Sequence, residues 1–116
     1  GLYLKPRDMV KVGQMIKNQG VINGEEIVPK EWLDSALVKQ IDQTVVPFEF
    51  GYYFWIVPEL LAVTTWGHGG NFIFTVPDKH LVIVLVSLPD TDDERVGTLL
   101  PDFLPLARKI IEACSE

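Results

Sequence analysis

The stretch TTWGHGGNFIFTVPDKHLVIVLVS, residues 64–87, contains the clearest structural pattern of the chain. In residues 71–76, Phe72, Phe74 and Val76 fall on one face and Ile73 and Thr75 on the other. This alternation has the period of two that is typical of a β-strand. The run Val76-Pro77-Asp78-Lys79 fits a tight turn with proline at its second position. Residues 80–87 are apolar throughout their middle, which predicts a strand covered on both faces. The stretch therefore predicts two antiparallel strands joined by a short turn.

The preceding residues predict one further main strand. Residues 50–57 are aromatic and β-branched, a composition typical of strands, and residues 58–64 are expected to connect them to the stretch above. Short connections favour an antiparallel meander of about three main strands. Both outer strands are apolar on both faces, so a larger parent domain or a second copy is expected to supply additional cover.

Helices are predicted on either side of this sheet. Residues 5–20 form the first, with Pro6 in its first turn and Gly20 as its stop. Asn23-Gly24 between two apolar pairs predicts a small β-hairpin, and a second helix follows Pro29. The predicted apolar face of the second helix comprises Trp32, Leu33, Ala36 and Leu37. That of the C-terminal helix comprises Phe103, Leu106, Ala107, Ile110, Ile111 and Cys114. Pro101 and Pro105 are tolerated there only within the first turn. The chain is therefore predicted to be α+β, with the sheet and the small hairpin packed against helices.

Composition narrows the classes of function. A chain of 116 residues is long enough for one small domain, and its net charge of −6 disfavours nucleic-acid binding. No apolar run approaches the roughly 20 residues that a membrane-spanning helix needs. The single cysteine, Cys114, excludes an internal disulfide. The start at Gly1 instead of Met indicates a processed, cut or engineered N-terminus.

Catalytic motifs are largely missing. The serines, Ser35, Ser87 and Ser115, lie in neither G-x-S-x-G nor S-x-x-K, so they are interpreted as structural or surface residues. The sequence also lacks the H-E-x-x-H and C-x-x-C metal motifs and the glycine-rich phosphate loops. No metal or cofactor is therefore predicted.

His68 is the one candidate for chemistry. A lone histidine near a turn is often structural, but Gly69 and Gly70 remove side chains where a strand begins, so a ligand can approach the backbone. An imidazole beside an accessible amide at Asn71 suits the stabilisation of an oxyanion or a carboxylate. His80, on the predicted hairpin turn, is expected to be exposed to solvent.

Several segments together resemble a known family. The segment GLYLKPRDMVKVGQMIKNQGVINGEEIVPKEWL, then FGYYFWIV, then GHGGNFIFTVPDKHLVIVLVS and an amphipathic helix, resembles the C-terminal part of the bacterial serine β-lactamase-like family. That family includes class C β-lactamases, penicillin-binding-protein-like D-peptidases, esterases and nylon-oligomer hydrolases. The resemblance extends over essentially all of residues 1–116. It implies one domain that is the C-terminal segment of such a hydrolase, with a partial β-lactamase/transpeptidase-like fold.

The resemblance assigns roles to four residues. The family's S-x-x-K and Y-x-N motifs precede this region and do not occur here, whereas His68-Gly69-Gly70 matches its third motif, K-T-G or H-x-G. By the resemblance, His68 orients the substrate or acyl group, Gly69 and Gly70 allow close approach, and the Asn71 amide is one of two oxyanion donors. The stretch between His68 and Pro77 is shorter than in class C enzymes, which leans away from a dedicated antibiotic hydrolase.

The expected activity follows from the missing nucleophile. In the parent enzyme the substrate is a small-molecule amide or ester, and the compartment implied by the family is periplasmic or extracellular. The chain alone is expected to be inactive, because losing one member of a coupled catalytic set costs several orders of magnitude in rate. The alternative is a non-catalytic structural or binding module that derives from the same family and self-associates through its apolar strands.

Overall fold

The computed structural model of the protein describes residues 3–41, 48–67, 69–87 and 100–114. In chain order, its helices and strands are α1 (Pro6–Lys17), β1 (Val21–Ile22), β2 (Glu25–Glu26), α2 (Lys30–Ala36), β3 (Glu49–Phe50), β4 (Trp55–Val57), β5 (Ala62–Gly67), β6 (Asn71–Val76), β7 (Leu81–Leu85) and α3 (Leu100–Ala113). Strands β3 to β7 form one antiparallel sheet in sequential order, and β1 and β2 form a separate hairpin. The predicted α+β class is confirmed.

The Asn-Gly hairpin is confirmed in its detail. Val21 pairs with Glu26 and Ile22 with Glu25, so the loop between the strands has two residues. These residues, Asn23 and Gly24, both have positive φ, +50° and +78°. That is the type I′ turn, which matches the right-handed twist of the flanking strands.

The main sheet has five strands, where the sequence predicted about three. The segment 50–57 is not one strand, because the chain reverses between β3 and β4. In that turn the Gly51 amide donates to the Phe54 carbonyl at 2.9 Å, and Tyr53 has φ +63°. The segment 58–64 is not merely a connection either. A 3-10 turn at Pro58–Leu60 ends at Leu61, in the left-handed conformation, and β5 begins at the next residue.

One face of the sheet packs against α3 and forms the core. The register of the strands places Phe72, Phe74 and Val76 of β6 on this face. The ring of Phe103 on α3 stacks on Phe72 with centroids 5.1 Å apart and meets Phe74 edge-on at 5.6 Å. Ring pairs of this kind contribute beyond the area they bury. The C-terminal helix is therefore anchored on β6, the strand next to the edge strand β7.

The opposite face packs against α1. A Cβ atom built on Gly13 of α1 would lie 2.4 Å from Val82 Cγ1, and 3.2 Å from both Ile73 Cγ2 and Thr75 Oγ1. The absence of a side chain at Gly13 therefore lets the helix backbone approach β6 and β7 closely. The sheet therefore lies between two helices, with α3 on one face and α1 over β6 and β7 on the other.

The predicted helix faces are correct in part. On α2, Leu33 and Ala36 are buried, but the predicted face is wrong at Trp32, which is half exposed beside Tyr52 at a ring distance of 6.2 Å. On α3, Phe103 and Ala107 are buried, whereas Leu106 and Cys114 are exposed. A seven-residue helix such as α2 buries a narrower stripe than its apolar composition suggests.

Proline inside α3 departs from the expectation. Pro101 lies in the first turn, as predicted, but Pro105 lies inside the helix and is exposed. An interior proline removes one helical hydrogen bond and its ring crowds the carbonyl four residues earlier. Burial of Leu104 and Ala107 on either side holds this part of the helix in place. No helix in the described parts of the chain is both long and apolar enough to cross a membrane.

Candidate functional site

The candidate site lies at the turn between β5 and β6. Gly67 and Asn71 form the last pair of the β5–β6 ladder, so three residues connect the strands. The Gly70 amide donates to the Gly67 carbonyl at 3.2 Å and closes the turn. Gly69 and Gly70 have φ of +82° and +86°, values that favour glycine strongly. The glycines of this motif are therefore required by the turn itself.

His68, the first residue of this connection, lies outside the described residues. The orientation of its imidazole and its role in binding substrate stay predictions. Its neighbours are placed by the ladder on one side and by the hydrogen bond of Gly70 on the other. Of the four predicted site residues, the structure brings Gly69, Gly70 and Asn71 together at one end of the sheet.

Ser87 fastens this turn to the end of β7. Its hydroxyl oxygen lies 2.6 Å from both the Gly69 and the Gly70 carbonyl oxygens, and the one hydroxyl proton is shared between these acceptors. The Ser87 amide donates to Asn71 Oδ1 at 3.2 Å. Both carbonyls are held on the β7 side of the turn, so the serine acts as a positioning residue for the backbone of the motif.

The direction of the Asn71 amide follows from the ladder. The Ile73 amide donates to Thr65 Oγ1 at 3.0 Å, so it points toward β5. Because backbone groups alternate with a period of two, the Asn71 amide also points toward β5, at its last residue Gly67. An acyl oxygen bound by this amide would therefore take the place of the Gly67 carbonyl as its acceptor.

Aromatic side chains support the turn from the α3 side of the sheet. Trp66 and Phe72 form the ladder pair directly inside Gly67 and Asn71, with ring centroids 6.4 Å apart. Trp66 also lies 5.3 Å from Trp55, which in turn lies 4.9 Å from Phe50. Trp66 is half-buried, and it borders the candidate site with a large apolar surface.

The other predicted candidates do not join this site. His80 is exposed on the turn between β6 and β7, at the opposite end of the sheet, as predicted. Ser35 is exposed on α2, where its hydroxyl donates to the Glu31 carbonyl. Ser115 lies outside the described residues. Within the described ranges, no group of three or more His, Cys, Asp or Glu side chains is arranged to hold a metal ion.

The contact of Ser87 with the motif was missed by sequence reasoning, although a signal for it existed. The predicted turn at Pro77 fixes the pairing of Val76 with Leu81 and hence of Phe72 with Leu85. Counting two residues outward in the same register places Gly70 opposite Ser87. Comparisons with known proteins add no further assignment: no family model matches the chain, and a search of curated proteins finds no match.

Proposed function

We propose that the chain is the C-terminal part of a serine β-lactamase-like hydrolase that cleaves an amide or ester when joined to its N-terminal portion. The observation that supports the proposal is the connection between β5 and β6, where Ser87 holds the backbone of Gly69 and Gly70 and the side chain of Asn71. The bonds from Ser87 fix two carbonyls of the turn, and a developing oxyanion additionally requires an amide donor held in place beside it. In this proposal His68 orients the acyl group, and the Asn71 amide supplies one donor by exchanging the Gly67 carbonyl for the acyl oxygen.

Ser87 is not the nucleophile in this proposal. Activation of a serine requires a base that takes its proton, and the hydroxyl of Ser87 donates to two backbone carbonyls instead. Ser35 is likewise bonded to a backbone carbonyl of its own helix. The reacting alcohol therefore comes from the missing S-x-x-K motif, and the chain alone is expected to show no burst of ester hydrolysis.

The test begins with the coding sequence upstream of Gly1. Protein that includes this sequence is expected to contain S-x-x-K and Y-x-N motifs and to release p-nitrophenol from an activated ester with a burst. If His68 acts on the substrate, His68→Ala should lower kcat by at least tenfold while leaving the melting temperature within about 2 °C, because a substitution that removes no packing usually changes stability by less than about 0.5 kcal/mol. His80→Ala, at the other end of the sheet, is the matched control and should leave kcat unchanged.

Two results would contradict the proposal. One is an upstream sequence without either motif. The other is a His68→Ala variant whose melting temperature falls while its kcat is unchanged, which would make the histidine structural.

A second candidate function, a non-catalytic module that self-associates, is favoured by one observation. All five residues of the outer strand β7 are apolar and only half-buried. Such a strand presents apolar side chains and backbone groups to a partner at once. The two candidates differ in what they predict for the chain alone, since only the second gives it a function without the missing nucleophile.

A further inference from the structure

The two edges of the main sheet differ in how they end. At one edge, β3 has two residues, carries Glu49, and is bridged by residues 40–41, whose amides both donate to the Phe50 carbonyl. At the other edge, β7 has five residues and, within the described parts of the chain, pairs with β6 alone. The β7 edge is therefore the longer and less protected of the two.

The β7 edge lacks the features that usually prevent pairing with another strand. Natural edge strands are short, charged, interrupted by proline or bent by a bulge. Residues 81–85 contain no charge, no proline and no glycine, and their pairing with β6 is regular over all five positions. Each of the five side chains is half-buried, so each packs inward and also keeps exposed surface.

The sequence of β7 is symmetric about its centre. Leu81-Val82-Ile83-Val84-Leu85 reads the same in both directions. We propose that β7 pairs antiparallel with β7 of a second copy of this chain, across a two-fold axis at Ile83. Ile83 then faces Ile83 of the second copy, Val82 faces Val84, and Leu81 faces Leu85. Each pair joins two identical residue types, so both faces of the joined sheet stay apolar.

The flanking residues are compatible with this register. Lys79 lies in the 3-10 turn before β7 and His80 has the left-handed conformation, so the ladder between the two copies begins at Leu81. Residues 81–85 carry no charge, so the paired strands avoid the direct opposition of like charges, which would be destabilising. The two layers of helix continue across the axis, because Leu81, Ile83 and Leu85 lie on the α3 side and Val82 lies beneath α1.

The proposed pairing also ends at a dimer. A two-fold pair uses the same strand from both copies, so no β7 edge is left over. The opposite edge is short and bridged, so it offers no equivalent site for growth into a fibre. The inference rests on strand geometry alone and does not depend on the hydrolase proposal.

Sedimentation equilibrium of the full chain tests the stoichiometry. The expected mass is twice 13.1 kDa at micromolar concentration. Val84→Lys introduces a charge on the edge beside the axis and is expected to weaken dimerisation at least tenfold. Circular dichroism of the variant shows whether the fold is kept. A monomer at all concentrations overturns the proposal. The β7 edge would then be covered by a strand of a different protein or by other residues of this chain.

Disulfide trapping tests the register. In a Cys114→Ser background, Ile83→Cys places two thiols opposite each other at the axis, where paired Cα atoms are about 4.5–5.5 Å apart and a disulfide can form. Val86→Cys is the matched control, because six residues of stagger separate the two thiols by about 20 Å. Oxidation should cross-link the first variant at least tenfold faster than the second. Equal cross-linking of both overturns the register.

Because Ile83 packs against the core, its replacement by cysteine can unfold the first variant. A mixture of Leu81→Cys and Leu85→Cys chains then provides the second measurement. In the proposed register these two chains cross-link with each other, and neither cross-links with itself. Failure of the mixture to cross-link overturns the proposal as well.

Discussion

The close approach of α1 to the sheet predicts how Gly13→Ala changes the free energy of unfolding, and the sign of that change depends on the side chain of Val82. Gly13 lies inside α1, where an alanine would stabilise an isolated helix by about 1 kcal/mol relative to glycine. In the protein the new Cβ would lie 2.4 Å from Val82 Cγ1, whereas carbon atoms in contact prefer about 3.5–4.0 Å. The same Cβ lies 3.2 Å from Ile73 Cγ2 and Thr75 Oγ1, so a shift of the helix is required.

The two effects have comparable size and opposite sign. Overpacking a well-packed site costs about 1–3 kcal/mol, and three short contacts on one atom place this site in the upper part of that range. Gly13→Ala is therefore expected to lower the free energy of unfolding by about 1–2 kcal/mol. In a Val82→Ala background the shortest contact is gone. The same change should then be neutral or stabilising by up to about 1 kcal/mol, which is a coupling of about 2 kcal/mol between the two positions.

Urea denaturation followed by tryptophan fluorescence measures the free energy of unfolding of the wild type, the two single variants and the double variant. Gln14→Gly, at the adjacent exposed position of α1, calibrates the helix propensity and should cost about 0.7–1 kcal/mol. If Gly13→Ala stabilises the wild-type protein, or has the same effect in both backgrounds, then α1 does not lie against Val82 as described.

Four further predictions concern stability and titration. Pro105→Ala should raise the free energy of unfolding by about 1–3 kcal/mol in urea denaturation, because the new amide can donate to the Pro101 carbonyl; no gain would mean that this part of α3 is not helical. Leu61→Asn should stabilise by about 1 kcal/mol by thermal denaturation, since Leu61 is 67% exposed in the left-handed conformation, while His80→Asn should gain less because histidine tolerates that conformation better. Ser87→Ala should cost about 1–2 kcal/mol through the lost hydroxyl bonds, against less than about 0.5 kcal/mol for the exposed control Ser35→Ala; equal costs would contradict the described contact. The hydrogen bond and charge of Asp34 raise the pKa of Lys30 above its ordinary 10.5, so any stabilisation by this pair is present below pH 10.5 and is lost as the pH rises through the raised pKa; NMR titration of Asp34→Asn should show the Lys30 pKa falling back toward 10.5.

The sequence predicts a turn reliably where its residues strongly favour the turn conformation over a strand or a helix. Asn23-Gly24 and Pro77-Asp78 each indicate a turn directly, and both turns occur. The turn at Pro58 has the same backbone path as the one at Pro77. Val57 and Val76 have φ/ψ of −114°/85° and −116°/88°. From the sequence, the turn at Pro58 is predicted to lie inside a longer connection, residues 58–64. Leu61 gives no sign of the left-handed conformation that ends this turn, because leucine adopts it less readily than the histidine at the matching position.

The reversal at Gly51–Phe54 was hidden by composition. The residues around it are phenylalanine, tyrosine and tryptophan, which favour strands wherever they fit a half-buried surface. The turn depends instead on tertiary contact, since the Tyr52 amide donates to the Ala36 carbonyl at the end of α2. No local pattern encodes that bond. The number of strands was therefore the part of the fold that periodicity left undetermined.

The candidate site and the β7 edge meet at Ser87, and its geometry separates the two proposals. The serine follows β7 directly, but its hydroxyl and its amide both bond toward the Gly69–Asn71 side. In the proposed dimer the pairs centred on Ile83 lie several residues away. Removing the hydroxyl therefore frees the turn carbonyls without removing any apolar pair of the edge. A Ser87→Ala chain should keep the mass of the dimer while its turn glycines exchange their amide protons faster. Loss of the dimer in that variant would mean that the edge depends on the turn, and that the glycine motif serves association as well as any chemistry.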